Sequence, residues 1–243
     1  MSSLIVSLDA VAIMREIRGR GEPEPTKAAT LAELAGAEGL SIQMRTNGRP
    51  MRIRDLRLMV EQFRRRLTVE LPPTEDMLKA VSAAVPAEAI LVADQAAGQG
   101  LVTTIDFNSS HIDYSGAVAQ LSGAGCETGI FIEPEAAAIK GALKAGAHSV
   151  MLSCAAYTSA RTINDQRTEL ERIGRAAEQA RKSSLTVLAA RGLDYDNIGP
   201  LAALDLVDEF VVGFAVTARA MLVGYDRAVG EMIRQINRAI AQG

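Results

Sequence analysis

The stretch Gly39-Leu40-Ser41-Ile42-Gln43-Met44-Arg45 predicts a β-strand, because its apolar residues alternate with polar ones and a typical turn sequence, Thr46-Asn47-Gly48, follows it. Gln43 and Arg45 stand where this strand gives way to a loop. In a chain that alternates strands with helices, the carboxyl ends of the strands meet on one face and carry the chemistry. The polar residues at this strand end are therefore candidate site residues.

Short apolar segments of the same kind recur along the chain and alternate with segments of helical spacing. The predicted strands are residues 4–9, 39–45, 67–71, 89–94, 128–133, 149–154, 185–190 and 209–213. Most of them are continuously apolar, which is typical of parallel strands buried on both faces. The pattern predicts an α/β fold, a (β/α)8 TIM barrel in a single domain with extra helical segments. The first strand is not followed by Gly-x-Gly-x-x-Gly, so a Rossmann cofactor site has no support.

Three segments of the chain are less regular. Residues 15–25 are rich in Gly and Pro and predict a βα loop, after which Thr26 is the expected N-cap of a helix. Residues 95–113 lack periodicity and predict a long loop, which contains His111. The last helix is expected to run from about Thr217 to residue 241.

Composition limits the classes of partner. The chain has 243 residues, of which 48% are hydrophobic, and its 26 basic and 29 acidic residues give a net charge of -3. That balance argues against general nucleic-acid or membrane binding, and no apolar run is long enough to span a bilayer. Residues 1–6 lack the pattern of a signal peptide, and the two cysteines, Cys126 and Cys154, have no metal or redox spacing. We expect a cytoplasmic protein with buried thiols, no metal and no cofactor.

The strand ends supply the candidate site. They carry Ser7, Asp9, Gln43, Arg45, Glu70, Asp94, Glu133, Cys154, Arg191, Gly192, Gly213 and Phe214. In barrels of this kind, the last two βα turns often bind phosphate through backbone N–H groups, helped by a helix N-terminus. Gly192 and Gly213 occupy those turns, so the pattern favours a phosphorylated small-molecule ligand.

Many spaced segments together resemble the pyridoxine 5'-phosphate synthase family. They are residues 6–9, Arg15, Arg18-Gly19, 23–25, 32–39, Arg54-Asp55, 69–71, 74–78, 192–197 and Val212-Gly213. The resemblance runs almost collinearly from Val6 to the last helix. It implies a barrel that assembles as a homo-oligomer, typically an octamer. It also implies condensation of 1-deoxy-D-xylulose 5-phosphate with 3-amino-2-oxopropyl phosphate, which closes the pyridine ring of vitamin B6.

The resemblance also implies roles for individual residues. Arg18 would hold the aminoketone phosphate and Arg45 the deoxyxylulose phosphate, while Glu70 would serve as general acid/base. Gly192 and Gly213 would cradle phosphate. Ser7 and Asp9 would also bind substrate, and Phe214 would also bind phosphate.

The chain departs from the family pattern at several positions. Residues other than histidine stand at family histidine positions, among them Ala10, Gln43, Pro50, Arg191 and Phe214. Ser7 replaces an asparagine, Met151 and Ser153 replace a glutamate and a histidine, and a substrate-binding threonine falls on Gly100 or Thr103. Gln43 cannot exchange a proton near neutral pH, and Arg191 stays charged. With Glu70, Gln43 and Arg191 at the catalytic positions, altered or reduced catalysis is expected.

Several alternatives remain open at this level. The chain could be a non-catalytic paralogue that binds a phosphometabolite or assembles with a true synthase. Glu70 could form a purely structural ion pair with an arginine such as Arg45, and Arg191 a salt bridge to Asp194, Asp196 or Glu70. His111 could fold over the site as a replacement acid/base. Another phosphate-handling barrel, such as an aldolase, is disfavoured because no lysine stands at a predicted strand end.

Overall fold

The computed structural model describes residues 2–93, 103–108 and 112–242. Eight parallel strands follow one another around a closed barrel, and the last is hydrogen-bonded to the first. The strands are β1 (Ser3–Ser7), β2 (Gly39–Gln43), β3 (Leu67–Leu71), β4 (Glu88–Leu91), β5 (Glu127–Ile132), β6 (Ser149–Ser153), β7 (Thr186–Ala190) and β8 (Glu209–Val212). The predicted (β/α)8 TIM barrel is confirmed.

Each strand alternates its side chains between two buried environments, because successive residues point to opposite faces. In β2, Leu40 and Ile42 belong to the large core between the sheet and the helices. Ser41 and Gln43 have the opposite parity and point into the barrel. A smaller apolar cluster fills the barrel interior, formed by Ile5, Ile90, Val92, Phe131, Met151, Leu188, Ala190 and Val211. Polar side chains of the inward parity therefore collect at the two ends of the barrel.

Helices cover the outside of the barrel. They are α1 (Asp9–Arg18), α2 (Pro25–Leu34), α3 (Ile53–Phe63), α4 (Glu75–Ala84), α5 (Tyr114–Gly123), α6 (Ala136–Ala145), α7 (Ala155–Ser159), α8 (Ile163–Lys182), α9 (Ile198–Ala202), α10 (Phe214–Val223) and α11 (Tyr225–Ile240). A short 3-10 helix, Arg64–Arg66, precedes β3. Two helices rather than one follow each of β1, β6 and β8, so the barrel carries extra helical segments.

The first connection differs from the prediction. Residues 15–18, expected in a loop, form the last turn of α1, and the helix ends at Gly19, whose φ of 68° is in the left-handed region. The Gly- and Pro-rich part begins only after this point. Asp9 lies in the first turn of α1 and Arg15 and Arg18 in the last, an arrangement that complements the helix dipole. The helix therefore extends directly from the end of β1.

Two other boundaries also differ. The expected N-cap Thr26 lies inside α2, which begins at Pro25 with Glu24 in the capping position, because proline suits the first helical position. The expected single last helix is two helices. Gly224, with φ 90° and ψ 154°, separates α10 from α11, since these backbone angles cannot continue a helix.

The long segment between β4 and α5 is described at residues 92–93, 103–108 and 112–113. Thr103 forms an antiparallel bridge with Ala93. The candidate residues Asp94, Gly100 and His111 lie outside the described residues.

A buried ion pair fastens α1 to α3. The guanidinium of Arg15, which is 3% exposed, donates from Nη1 to Asp55 Oδ1 at 2.9 Å and from Nη2 to Asp55 Oδ2 at 2.6 Å. Its Nη2 also donates to the carbonyl oxygen of Pro50 at 3.0 Å. Asp55 Oδ2 in turn accepts from the backbone N–H of Arg52 at the start of α3. This bidentate pair holds α1 against the first turn of α3.

Candidate active site

A pocket of about 280 Å³ opens at the carboxyl ends of β1, β2, β7 and β8. Its walls include Ser7, Asp9, Ala10, Ile13, Gln43, Arg45, Arg191, Gly192, Leu193, Asp194, Val211, Gly213, Phe214 and Ala215. The family resemblance assigns binding or catalytic roles to ten residues. Eight of them line this one pocket, and the other two are Glu70 and Arg18. The volume suits a small metabolite.

Asp9 is a carboxylate of the pocket wall whose position is fixed by hydrogen bonds from the backbone and from a hydroxyl. It follows β1 by two residues and is the first residue of α1. Its Oδ1 accepts from the backbone N–H of Gln43 at 2.9 Å, and its Oδ2 accepts from the Ser7 hydroxyl at 3.0 Å. Burial, followed by repulsion from the Glu70 carboxylate, raises the pKa of Asp9 to about 6. The two hydrogen bonds and the charge of Arg191 oppose this rise without cancelling it.

Gln43 ends β2 and lies next to Asp9. Its side chain is only 3% exposed, and its Oε1 accepts from Nη2 of Arg45 at 3.4 Å. Within the described part of the chain, its Nε2 has no hydrogen-bond partner. A buried amide donor without a partner is costly, so this N–H group is suited to a ligand oxygen.

Glu70 lies beneath the pocket rather than on its wall. The side chain is fully buried in β3, and its Oε2 forms an ion pair with Nη2 of Arg191 at 2.5 Å. The Ser41 hydroxyl is 3.4 Å from its Oε1. The ion-pair partner is thus Arg191, one of the candidates that the sequence left open, and not Arg45.

Arg191 is held in an unusual backbone conformation. Its φ is 84° and that of Gly192 is 74°, so two consecutive residues after β7 are in the left-handed region. The guanidinium of Arg191 stacks on the ring of Phe131 at 4.6 Å, and its side chain is 19% exposed. Such strained positions persist where the surrounding structure fixes them. In this conformation the Arg191 guanidinium lies between the Glu70 carboxylate and the pocket.

The two glycines after β7 and β8 are both required by local packing. A Cβ on Gly192 would lie 2.1 Å from Oγ1 of Thr158, and one on Gly213 would lie 2.8 Å from Cβ of Ser7. Gly213 also precedes α10, whose first N–H groups have no acceptor within the helix. The pocket wall includes this helix start, so it presents donors and a positive dipole to the cavity.

The sequence comparisons identify the family. The family model of the pyridoxal phosphate biosynthesis protein PdxJ matches residues 4–238. The chain belongs to the PdxJ family. A pyridoxine 5'-phosphate synthase of Pelobacter propionicus is 36% identical over 241 residues, which cover 98% of this chain and all of the relative. The synthase of Geotalea daltonii is 37% identical over 235 residues, which cover 96% of this chain and 98% of the relative.

Two solved structures with much lower sequence identity share the barrel fold with this chain. A tryptophan synthase α-subunit from Pyrococcus furiosus superposes with a TM-score of 0.62 over 98% of both chains at 15% identity. A structure described as native KDPGal superposes with a TM-score of 0.60 over 98% of this chain and 95% of the other at 11% identity. These likenesses show the fold and carry no information about the reaction.

Arg18, the other candidate outside the pocket wall, lies on the surface. It is the last residue of α1, is exposed, and is absent from the described lining of the pocket. Of the two arginines expected to bind phosphate, Arg45 lines the pocket and Arg18 does not. The role of Arg18 in substrate binding stays a prediction.

Other strand-end residues have structural surroundings. Glu133 accepts from the hydroxyl of Thr104 at 3.2 Å and pairs with Arg172 at 3.4 Å. Cys154 is fully buried, and burial raises the pKa of its thiol to about 12. Both cysteines are free and buried, as predicted. His148 is exposed near Glu127, at the amino end of β6 and away from the pocket.

The sequence prediction missed several residues of the pocket wall, including Ile13, Asp194 and Ala215. Ile13 follows Asp9 by one helical turn, so the helical spacing of α1 would have placed it there if that helix had been recognised. Asp194 belongs to the turn after Gly192, where its Oδ1 accepts from the backbone N–H groups of Asp196 and Asn197.

The opposite end of the barrel also contains buried acids. Glu88 is 8% exposed and accepts from the Ser149 hydroxyl at 2.5 Å and from the Thr68 hydroxyl at 3.1 Å. Burial raises the pKa of Glu88 to about 7 and, with repulsion from Glu88, that of Glu209 to about 7. Neither residue lines the pocket in the described structure.

Among residues 2–93, 103–108 and 112–242, no group of three or more histidine, cysteine, aspartate or glutamate side chains could hold a metal ion. No helix within these ranges is both long and apolar enough to cross a membrane.

Proposed function

We propose that this PdxJ-family protein binds phosphorylated ketones in the described pocket and acts as a pyridoxine 5'-phosphate synthase with altered or reduced catalysis. The observation that carries the proposal is the convergence of two arginines and a helix N-terminus beside Asp9. Arg45 and Arg191 line the cavity together with Gly213 and Phe214, the capping residue and first residue of α10. Cations and free backbone donors of this kind recognise phosphate.

By resemblance to the family, the ligands are 1-deoxy-D-xylulose 5-phosphate and 3-amino-2-oxopropyl phosphate. Arg45 is the proposed phosphate ligand for the first, with Ser7 and Gln43 as hydrogen-bonding residues. The helix start at Gly213 and Phe214 is the second anion-binding element, and Gly192 shapes the same wall. The reaction needs no metal or organic cofactor in this proposal.

The ion pair between Glu70 and Arg191 supports a charged, electrostatic role for both residues. Arg191 reaches the pocket while Glu70 holds its guanidinium from below. A buried pair of this kind keeps a cation at a defined position without leaving its charge uncompensated. General acid/base action by Glu70 itself stays a prediction, because the described pocket wall does not include it.

The test is turnover by the purified protein with the two phosphorylated compounds, offered separately and together. Formation of the pyridine product, followed by mass spectrometry, supports the synthase. Binding of either compound without product supports the alternative of a non-catalytic paralogue. Failure of both compounds to bind contradicts the proposed function.

We also propose that the protein works as a homo-oligomer, an octamer by family resemblance, in the cytoplasm. Exposed apolar side chains cluster on the neighbouring helices α1 and α10 at Ile13, Ile17, Phe214, Met221 and Leu222. Exposed apolar side chains on adjoining helices are typical of an interface between protein chains. Two free buried cysteines fit a reducing compartment.

Light scattering after size-exclusion chromatography tests the assembly. Leu222→Glu places a charge in the apolar cluster and is expected to reduce the molar mass to that of a smaller species. Ile163→Glu, a matched change at an exposed position on α8, is expected to leave the mass unchanged. A monomeric wild-type protein would contradict the proposal.

A further inference from the structure

We infer that Asp9 is the general base of this protein, removing a proton from the carbon next to the carbonyl of a bound phosphorylated ketone. The inference rests on the proposed function and assigns the proton transfer to a residue that the sequence indicated only for substrate binding. Three carboxylates lie at or near the pocket, those of Asp9, Asp194 and Glu70. Asp194 is bound within its own turn, where its Oδ1 accepts from the backbone N–H groups of Asp196 and Asn197. The choice between Asp9 and Glu70 rests on their positions relative to the cavity.

Glu70 is poorly placed to meet a ligand. It is fully buried, and its two oxygens face the Arg191 guanidinium at 2.5 Å and the Ser41 hydroxyl at 3.4 Å. It does not belong to the described wall of the pocket, whereas Arg191 and Gln43 do. A base must come within hydrogen-bond reach of the proton it removes. Its ion pair with Arg191 holds the Glu70 carboxylate outside the described wall of the cavity.

Asp9 meets the geometric requirement. It lines the pocket, and its orientation is fixed from two sides by the Gln43 backbone N–H at 2.9 Å and the Ser7 hydroxyl at 3.0 Å. Each carboxylate oxygen has two acceptor positions, so these bonds leave acceptor capacity for a ligand. Ser7 is the last residue of β1 and packs against Gly213. Its hydrogen bond therefore keeps the Asp9 carboxylate close to the part of the pocket wall that Gly213 forms.

A hydrogen-bond donor lies beside this base. The Gln43 amide has its Oε1 turned toward Arg45, which leaves Nε2 without a partner among the described residues, although the side chain is 97% buried. Nε2 is placed to donate to the carbonyl oxygen of a ligand whose neighbouring C–H bond faces Asp9. Arg45, on the same wall, supplies positive charge.

The step balances without an oxidant or a second substrate. Asp9 takes the proton as the C–H bond breaks, and the electron pair forms a carbon–carbon double bond while the carbonyl oxygen becomes an enolate oxygen. The Gln43 N–H and the arginine charge stabilise that oxygen. Reversal with a proton from solvent returns the ketone. In deuterated water the bound ketone therefore exchanges its α-hydrogen.

The charges around Asp9 favour this role at physiological pH. The charged groups that act on Asp9 or line the same pocket are Glu70 from β3, Arg191 after β7, Arg45 after β2 and Asp194 after β7. Burial and Glu70 together hold the pKa of Asp9 at about 6, above its ordinary value of 3.8. A base is most effective when its pKa is near the operating pH.

The experiment follows deuterium incorporation into 1-deoxy-D-xylulose 5-phosphate alone by proton NMR, between pH 4.5 and 8. Wild-type exchange is expected to rise with pH through about 6 and then level off, because the ionised carboxylate is the active form. Asp9→Asn, which keeps the shape and can still accept from the Gln43 N–H, is expected to bind the compound and to lose at least about 100-fold in exchange rate. Asp76→Asn, at an exposed position in the first turn of α4, is the matched control.

Glu70→Gln separates the two carboxylates. It removes the repulsion that raises the Asp9 pKa, so the exchange is expected to persist with its pH midpoint moved downward. Loss of exchange in Glu70→Gln with full exchange in Asp9→Asn would overturn the inference, as would binding without exchange in the wild type. Carbon-13 NMR of labelled aspartate in the ligand-free protein adds a second test, in which an Asp9 carboxyl that titrates near 4 also overturns it. Calorimetry that detects no binding instead refutes the proposed function itself.

Discussion

The sharpest prediction for stability concerns Glu88 at the amino end of the barrel. Its carboxyl is buried at the start of β4, and its neighbours are the Ser149 and Thr68 hydroxyls and the acid Glu209. Burial raises the pKa of Glu88 from 4.5 to about 7. The folded protein therefore retains this proton at pH values where the unfolded chain has released it.

The sign of the effect follows from this difference. Below pH 4.5 both states are protonated, and the group does not change the free energy of unfolding. As the pH rises from 4.5 to 7, stability falls, because only the unfolded state ionises freely. Above pH 7 the full penalty applies, and the difference between the two pKa values corresponds to about 3 kcal/mol.

Glu88→Gln removes the ionisation and keeps the size and hydrogen-bonding capacity of the side chain. The variant is expected to exceed the wild type in stability by about 2–3 kcal/mol at pH 8 and to match it within about 0.5 kcal/mol at pH 4.5. Urea denaturation at fixed protein concentration, performed at both pH values, measures the difference. Glu61→Gln, at an exposed position on α3, is the control. Equal stability of Glu88→Gln and wild type at pH 8 would refute the reasoning.

Two further predictions concern packing. Arg15→Met leaves the Asp55 carboxylate buried without its cation and is expected to lower the free energy of unfolding by about 3–5 kcal/mol in urea denaturation; a loss below about 1 kcal/mol would contradict the account. Gly192→Ala meets both a φ of 74° and overlap with Thr158, so it is expected to cost at least about 1–3 kcal/mol and to weaken ligand binding measured by calorimetry. Gly199→Ala, where a Cβ has 3.9 Å of clearance, is the control and is expected to keep wild-type stability and binding.

The regular parts of the fold could be predicted because local pattern decides them. Strand β3 runs over residues 67–71 in both the prediction and the structure, since an apolar run is bounded there by arginines and prolines. The α1 helix was missed because the Gly- and Pro-rich residues after Gly19 outweighed the helical spacing before them. The stabilising contact of that helix, between Arg15 and Asp55, joins residues 40 positions apart and leaves no local signal.

In the candidate site, too, features decided by local sequence could be predicted and contacts between distant residues could not. Strand ends are recognisable from sequence, so most of the pocket wall could be named in advance. The partner of Glu70 could not be chosen, because Arg191 lies 121 positions away and only barrel closure brings the two side chains together. The position of Asp9 relative to the cavity likewise depends on a backbone contact with Gln43, which no spacing rule supplies.

Ligand binding by the pocket is the central claim, and isothermal titration calorimetry with 1-deoxy-D-xylulose 5-phosphate tests it most directly. The unphosphorylated sugar and an Arg45→Gln variant serve as the two comparisons. The account predicts that the phosphorylated compound binds the wild type, that the free sugar binds at least about tenfold more weakly, and that Arg45→Gln loses most of this difference, because the arginine recognises the phosphate. Equal binding of the two compounds, or undiminished phosphate discrimination in Arg45→Gln, would contradict it.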